Sequence, residues 1–222
     1  MRAKLSLLST FLIVQGLFLC LFAFVANVNA SSDIANNKLQ QFNTLLKEAG
    51  LIYRSPKGFR ETNVEPFYLM PHEKALISED GKIEVRYIIR PLNRIQIDYE
   101  DPHNSAPHPN DLFEMLFRTL TEALAEDNYI ISRAYTVDQS RKLFNAGWGS
   151  VAVFDIPKDS GIKFKQVLFI AIHQNDMADA YIVCLTNDLN AAKPLIKDIK
   201  QSLKFAHFEK GINMPNLNPA IQ

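Results

Sequence analysis

Residues 150–188, SVAVFDIPKDSGIKFKQVLFIAIHQNDMADAYIVCLTND, decide the fold, because they read as three consecutive antiparallel strands. Val151 to Ile156 is apolar except for Asp155, Asp159-Ser160-Gly161 supplies a turn, and Phe164 to His173 is rich in β-branched and aromatic residues. Gln174-Asn175-Asp176-Met177 turns the chain again, and Ala178 to Thr186 returns. With His173 set opposite Ala178, one face pairs Ala171 with Ala180, Phe169 with Ile182 and Val167 with Cys184. The other face then pairs Ile172 with Asp179, Ile170 with Tyr181 and Leu168 with Val183. Both faces are mainly apolar, which predicts a central hairpin covered on each side. The fold class expected is therefore α+β, an antiparallel β-sheet with helices packed on both faces.

Residues 1–30 have the form of a signal peptide: Arg2 and Lys4, an apolar run to Ala26, then Val28-Asn29-Ala30 at a cleavage site. Cleavage there predicts an exported protein, periplasmic or secreted, that begins at Ser31. Left uncut, the same run would serve as a single-span anchor, the one contact with a membrane that the sequence offers. Residues 31–208 then form a single α+β domain, and residues 209–222 a flexible tail. Basic and acidic residues number 24 each, so bulk charge recruits neither nucleic acid nor an anionic membrane surface. Leu19 before Cys20 departs from a lipoprotein signal, and the mature chain keeps only Cys184, so no internal disulfide holds it.

Outward from the central strands, Ile34 to Glu48 has helical spacing, with Asp33 as cap and Gly50 as stop. Leu51-Ile52-Tyr53 is a short edge strand, and the following stretch to Glu65 is mostly irregular. Lys74 to Ser78 and Ile83 to Arg90 flank Asp80-Gly81 as a hairpin whose second strand has a wetter face, which places it nearer an edge. After Pro91, Ile95, Ile97 and Tyr99 resume the alternation of a strand. Asp101 to Asn110 is a loop, and Asn110 or Asp111 opens a helix to about Glu126 with Phe113 and Phe117 on its apolar face. Tyr129 to Val137 adds a short strand, Asp138 caps a helix through Phe144 that Gly147 stops, and Asp188 or Asn190 opens the last helix, with Pro194 in its first turn.

No phosphate-binding glycine loop or nucleophile elbow is present, which leaves few residues to carry chemistry. His103 and His108 share the Asp98–Asp111 loop with several carboxylates, a ligand set for zinc, copper or manganese. Their spacing in a proline-rich loop lacks the rigidity of a helical metal site, and Asp101 before Pro102 suits a turn, so no metal ligand is assigned. Cys184 has no base in reach and reads as a core side chain. Trp148, between Gly147 and Gly149, sits where the backbone can bend, and reads first as an aromatic locking the short helix to the first central strand. Trp148, Asp101 and His103 are the residues expected on a partner-binding surface. Arg86, Arg90 and Arg94, interleaved with Glu84 and Asp98, read as a salt-bridged solvated face.

Lys57-Gly58-Phe59, Glu84-Val85-Arg86-Tyr87 and Phe144-Asn145-Ala146-Gly147-Trp148-Gly149, in this order of elements, resemble the α/β/α sandwich of photosystem II subunit PsbP and the Ran guanine-nucleotide release factor. The last motif is similar to a Phe-Asn-Ala-Asp-Trp-Gly pattern of uncharacterised bacterial secreted proteins, with Gly147 in place of Asp. The resemblance spans about Leu51 to His207. It implies a non-enzymatic role without naming a partner, and the reading taken from the whole chain is an exported binding, assembly or accessory factor of the cell envelope with a protein partner and no cofactor. The alternative is a metal-binding protein or enzyme using the Asp98–Asp111 region. Neither reading sets the oligomeric state.

Overall fold

The strands expected over 150–188 are present in the computed structural model. It describes residues 37–67, 70–98, 100–101 and 103–206. The expected leader, the start of the first helix, Tyr99 and the expected tail lie outside these. The chain divides into two compact units, residues 1–43 and residues 44–222. Helix α1 covers 37–48, and Gly50 follows it at φ +60°, a conformation that suits glycine. Then come β1 (Leu51–Tyr53), β2 (Phe59–Glu61), β3 (Lys74–Ser78), β4 (Ile83–Pro91), α2 (Phe113–Ala125) and β5 (Ile130–Ala134). The rest are α3 (Val137–Phe144), β6 (Trp148–Asp155), β7 (Gln166–Gln174), β8 (Ala178–Thr186), α4 (Leu189–Gln201) and β9 (Leu203–Phe205).

Seven strands form one antiparallel sheet in the order β2-β3-β4-β8-β7-β6-β5. β8 is its middle strand and every one of its residues is buried, as a strand apolar on both faces requires. The register of its hairpin differs from the expected one by a single residue. Gln174 pairs with Ala178, so His173 faces Asp179, Ala171 faces Tyr181, Phe169 faces Val183 and Leu168 faces Cys184. The turn decides this: Asn175, Asp176 and Met177 make a three-residue loop, with Asp176 in the left-handed region at φ 61°. Because side chains alternate, the shift moves each β8 side chain to the opposite set of partners.

Helices cover both faces. On one, Phe117 of α2 stacks on Phe169 with ring centroids 5.5 Å apart, and Phe169 stacks on Tyr181 at 5.6 Å. Burying one such ring contributes about 2–3 kcal/mol. On the other, Ser140 of α3 lies against β6 at Gly149, and the Tyr87 hydroxyl is 2.8 Å from the Ser202 hydroxyl at the end of α4. A β-carbon on Gly149 would meet Tyr135, the Ala171 carbonyl and Ser140 at 3.3–3.4 Å, so this glycine serves close approach and not the expected bend.

Several local expectations are corrected. β1 pairs with β9 in a separate two-stranded sheet instead of edging the main one, and the edge position falls to β2, within the stretch read as irregular. Residues 95–98 form no strand, because Pro91 leads into a 3-10 turn at Leu92–Arg94. α3 is capped by Thr136, whose hydroxyl accepts from Gln139 N–H while the Gln139 side chain accepts from Thr136 N–H; Asp138 is in the first turn. Asn145 at φ 51° ends that helix, ahead of Gly147. Asp188 caps α4, and Pro194 lies inside the helix beyond its first turn, where it removes one backbone donor.

Candidate functional site

β4 was expected to show a wet face, yet Glu84 and Arg86 on that face are buried. Their cross-strand partners Leu185 and Val183 point to the α2 side, so both charged side chains enter the core layer there. Arg86 Nε donates to Glu84 Oε1 at 2.8 Å, and the two side chains are 6% and 2% exposed. Arg86 Nη1 donates to the Glu65 carbonyl at 2.9 Å, and the Phe67 ring lies 4.1 Å from the guanidinium carbon. The 64–67 segment is thereby fastened over β4. The local signal was opposite charges two residues apart on a strand whose other face is wholly apolar.

This pair forms part of the floor of a cleft of about 670 Å³ between the 64–67 segment, the 156–164 loop and the end of α2. Val167 and Val183 complete the floor, and Phe67, Leu124, Ile162 and Phe164 give apolar walls. Among the described residues nothing accepts from Arg86 Nη2 or donates to Glu84 Oε2. The floor carries no net charge. Such a floor can answer a neutral dipole, while Glu126 and Lys163 add one charge of each sign to the lining.

Arg90 and Arg94 do not extend this pair into one strip. Arg90 Nη1 donates to Glu73 at 2.7 Å, and Arg94 Nε donates to Glu48 at 2.6 Å, which holds the Glu48 carboxyl below its ordinary range. Asp98, expected among them, instead accepts from the Glu100 backbone.

The register shift creates a second cluster that the sequence reading separates. His173 Nδ1–H donates to Asp179 Oδ1 at 2.8 Å, Nε2 lies 3.0 Å from the Asn175 side-chain oxygen, and Phe113 stacks on the imidazole at 4.2 Å. His173 is 1% exposed and Asp179 5%. A histidine oriented by an aspartate is half of a nucleophilic constellation, but among the described residues no hydroxyl or thiol is hydrogen-bonded to it. Its chemistry here is to tie the β7–β8 turn to the start of α2, a join repeated by Asn110 and Asp176.

Trp148 is half-buried against Phe113 and Phe117, at 4.8 and 5.9 Å, so it locks β6 to α2 and not to the short helix α3. Asp101 and His103 are exposed, and Asp101 accepts from His103 N–H at 2.9 Å, holding a turn. His108 Nδ1 accepts from Asn110 N–H and caps the 3-10 turn at Pro109–Asp111. Among the described residues no three His, Cys, Asp or Glu side chains gather as a metal site. Cys184 is fully buried, with Leu168 on one side and Val85 on the other, and burial pushes its thiol up to about 12.

No family model and no curated protein matches this sequence. Among solved structures it is similar to cyanobacterial PsbP (CyanoP) from Synechocystis sp. PCC 6803, a solution structure. The TM-score is 0.41 at 12% identity, over 71% of this chain and 88% of the other, and the similarity is one of fold. Among the described residues no helix is long and apolar enough to cross a membrane.

Proposed function

We propose that this protein is an exported, non-enzymatic binding factor, an accessory component of the cell envelope, whose ligand occupies the cleft over Glu84 and Arg86. The supporting observation is the buried ion pair at the base of an apolar cleft, where among the described residues Arg86 Nη2 and Glu84 Oε2 have no partner. Burying two charges costs several kcal/mol each before their attraction is counted, and an apolar pair would fill the same space more cheaply. A ligand that answers both groups turns that cost to use. It is a mostly apolar molecule or chain segment carrying one group that both donates and accepts, such as an amide. Export is supported by the leader-like residues 1–30.

The test is a titration with the neutral apolar dye N-phenyl-1-naphthylamine against its anionic relative 1-anilinonaphthalene-8-sulfonate. One neutral dye should bind per chain, with the anion weaker, and Leu124→Trp at the cleft wall should remove binding while thermal stability holds. Equal binding of both dyes, or binding indifferent to Leu124→Trp, would overturn the reading.

A further inference from the structure

The far edge of the sheet carries a different kind of surface. β5 is the last strand beyond β6, half-buried at Ile130 and exposed from Ile131 to Ala134, with Ile131 63% exposed and Tyr129 just before it 84% exposed. Tyr135 N–H donates to the Gly149 carbonyl, which sets the alternation along the strand. Arg133 and Ile131 therefore turn their backbone groups toward β6, while Ile130, Ser132 and Ala134 turn theirs to the open edge. Among the described residues no other element bonds to those three. An edge this exposed and this apolar is a template for another strand.

Two cations mark the same place. Arg133 shares its face of the sheet with Ile131, and its guanidinium lies 5.9 Å from the Tyr135 ring centre. Lys200 of α4 lies 5.8 Å from the same ring. The two repel each other, and among the described residues neither has a carboxylate within ion-pair reach. The Tyr135 hydroxyl beside them is buried with no hydrogen-bond partner there. Like charges held together beside an orphaned donor call for an acceptor from outside.

We infer that the β5 edge is a docking site for an extended acidic segment of a partner protein, which adds a strand to the sheet and places carboxylates against Arg133 and Lys200. Main-chain bonds to Ile130, Ser132 and Ala134 supply the pairing, and the cations choose the partner. A second copy of this chain is the wrong occupant. Pairing β5 with itself would gather two Arg133 and two Lys200 side chains on one face with no carboxylate between them.

The test uses blocked synthetic heptapeptides that alternate valine with glutamate or valine with lysine, titrated into the isotope-labelled protein and read by amide shifts and hydrogen exchange. The glutamate peptide should shift and protect the Ile130, Ser132 and Ala134 amides, and the lysine peptide should not. Arg133→Glu with Lys200→Glu should reverse that preference. Ser132→Pro removes an outward donor that β6 does not use, so it should leave the fold intact and abolish protection by either peptide. No response at these amides, a response that survives Ser132→Pro, or protection that grows with protein concentration alone would overturn the proposal.

Discussion

On β4 and just past it each arginine has its own carboxylate: Arg86 takes Glu84, Arg90 takes Glu73 and Arg94 takes Glu48. On β5, at the other end of the sheet, Arg133 has none among the described residues and shares its neighbourhood with another cation, Lys200. The difference is one of purpose. Pairing inside the chain fixes a segment in place, whereas a cation with no carboxylate beside it among the described residues keeps its charge for the proposed acidic partner. The cleft and the edge should then respond in opposite ways to loss of a cation.

Arg86 is the severe case. Arg86→Ala strands a buried Glu84 carboxylate and should lower stability by about 3–5 kcal/mol in urea unfolding at neutral pH, whereas replacing both residues by Met should come close to neutral. The double variant should still lose the cleft's preference for a neutral dipolar ligand. A mild Arg86→Ala would mean that water already reaches the pair, and the contrast with β5 would weaken.

Asp179 lies between the two regions and tests whether pairing on the α2 face is cooperative. Asp179→Ala removes the acceptor of His173 Nδ1–H from a site almost closed to solvent, which should cost about 2 kcal/mol and loosen the stack on Phe113. The measurement is a urea midpoint together with amide exchange at Asn175 to Met177. A loss confined to a few tenths would show that the turn is held by Asn110 and Asp176 instead.

This pair also marks where the sequence stops being legible. Strands and the Asp80-Gly81 turn are readable because alternation and turn chemistry are local, and β7 and β8 lie where their composition puts them. Their register is not readable. β8 is apolar on both faces, so a slip of one residue violates no pattern, and a left-handed Asp176 in a three-residue turn settles it. The cleft fails differently: Glu84 and Arg86 show their shared face, but only the return of Glu65 and Phe67 over β4 makes that face an interior. Arg133 and Lys200 carry no sequence signal at all, since only tertiary packing brings both to the Tyr135 ring.

Cys184, in the middle of the sheet between these regions, measures how firmly they are joined. With its thiol pushed up to about 12 by burial, almost no thiolate forms at pH 8, and labelling should follow opening of the sheet, not surface access. Native labelling by a maleimide should be far slower than in denaturant, and Cys184→Ala should cost about 1 kcal/mol. Fast native labelling would mean that β4 and β8 part readily, so that the two ends of the sheet respond as separate pieces.

The finest test addresses the two cations themselves. Lys200 lies below its ordinary pKa, first because of burial and second because of Arg133. Its folded value is thus lower than its unfolded value, so the folded state loses the proton first as the solution becomes alkaline. Stability from this group is therefore fully present only above the unfolded pKa and is lost as pH falls through the folded one. Arg133→Ala removes the lesser cause, so the Lys200 midpoint, followed by NMR of the labelled side chain, should rise part of the way to normal. Global stability at neutral pH should change by no more than about 0.5 kcal/mol, as for an exposed residue. Bound acidic peptide should raise the same midpoint in the unaltered protein, because a carboxylate favours the charged amine that Arg133 opposes. A Lys200 midpoint indifferent to both changes would separate the two cations, and β5 would then differ from β4 only in lacking partners, with nothing to recruit one.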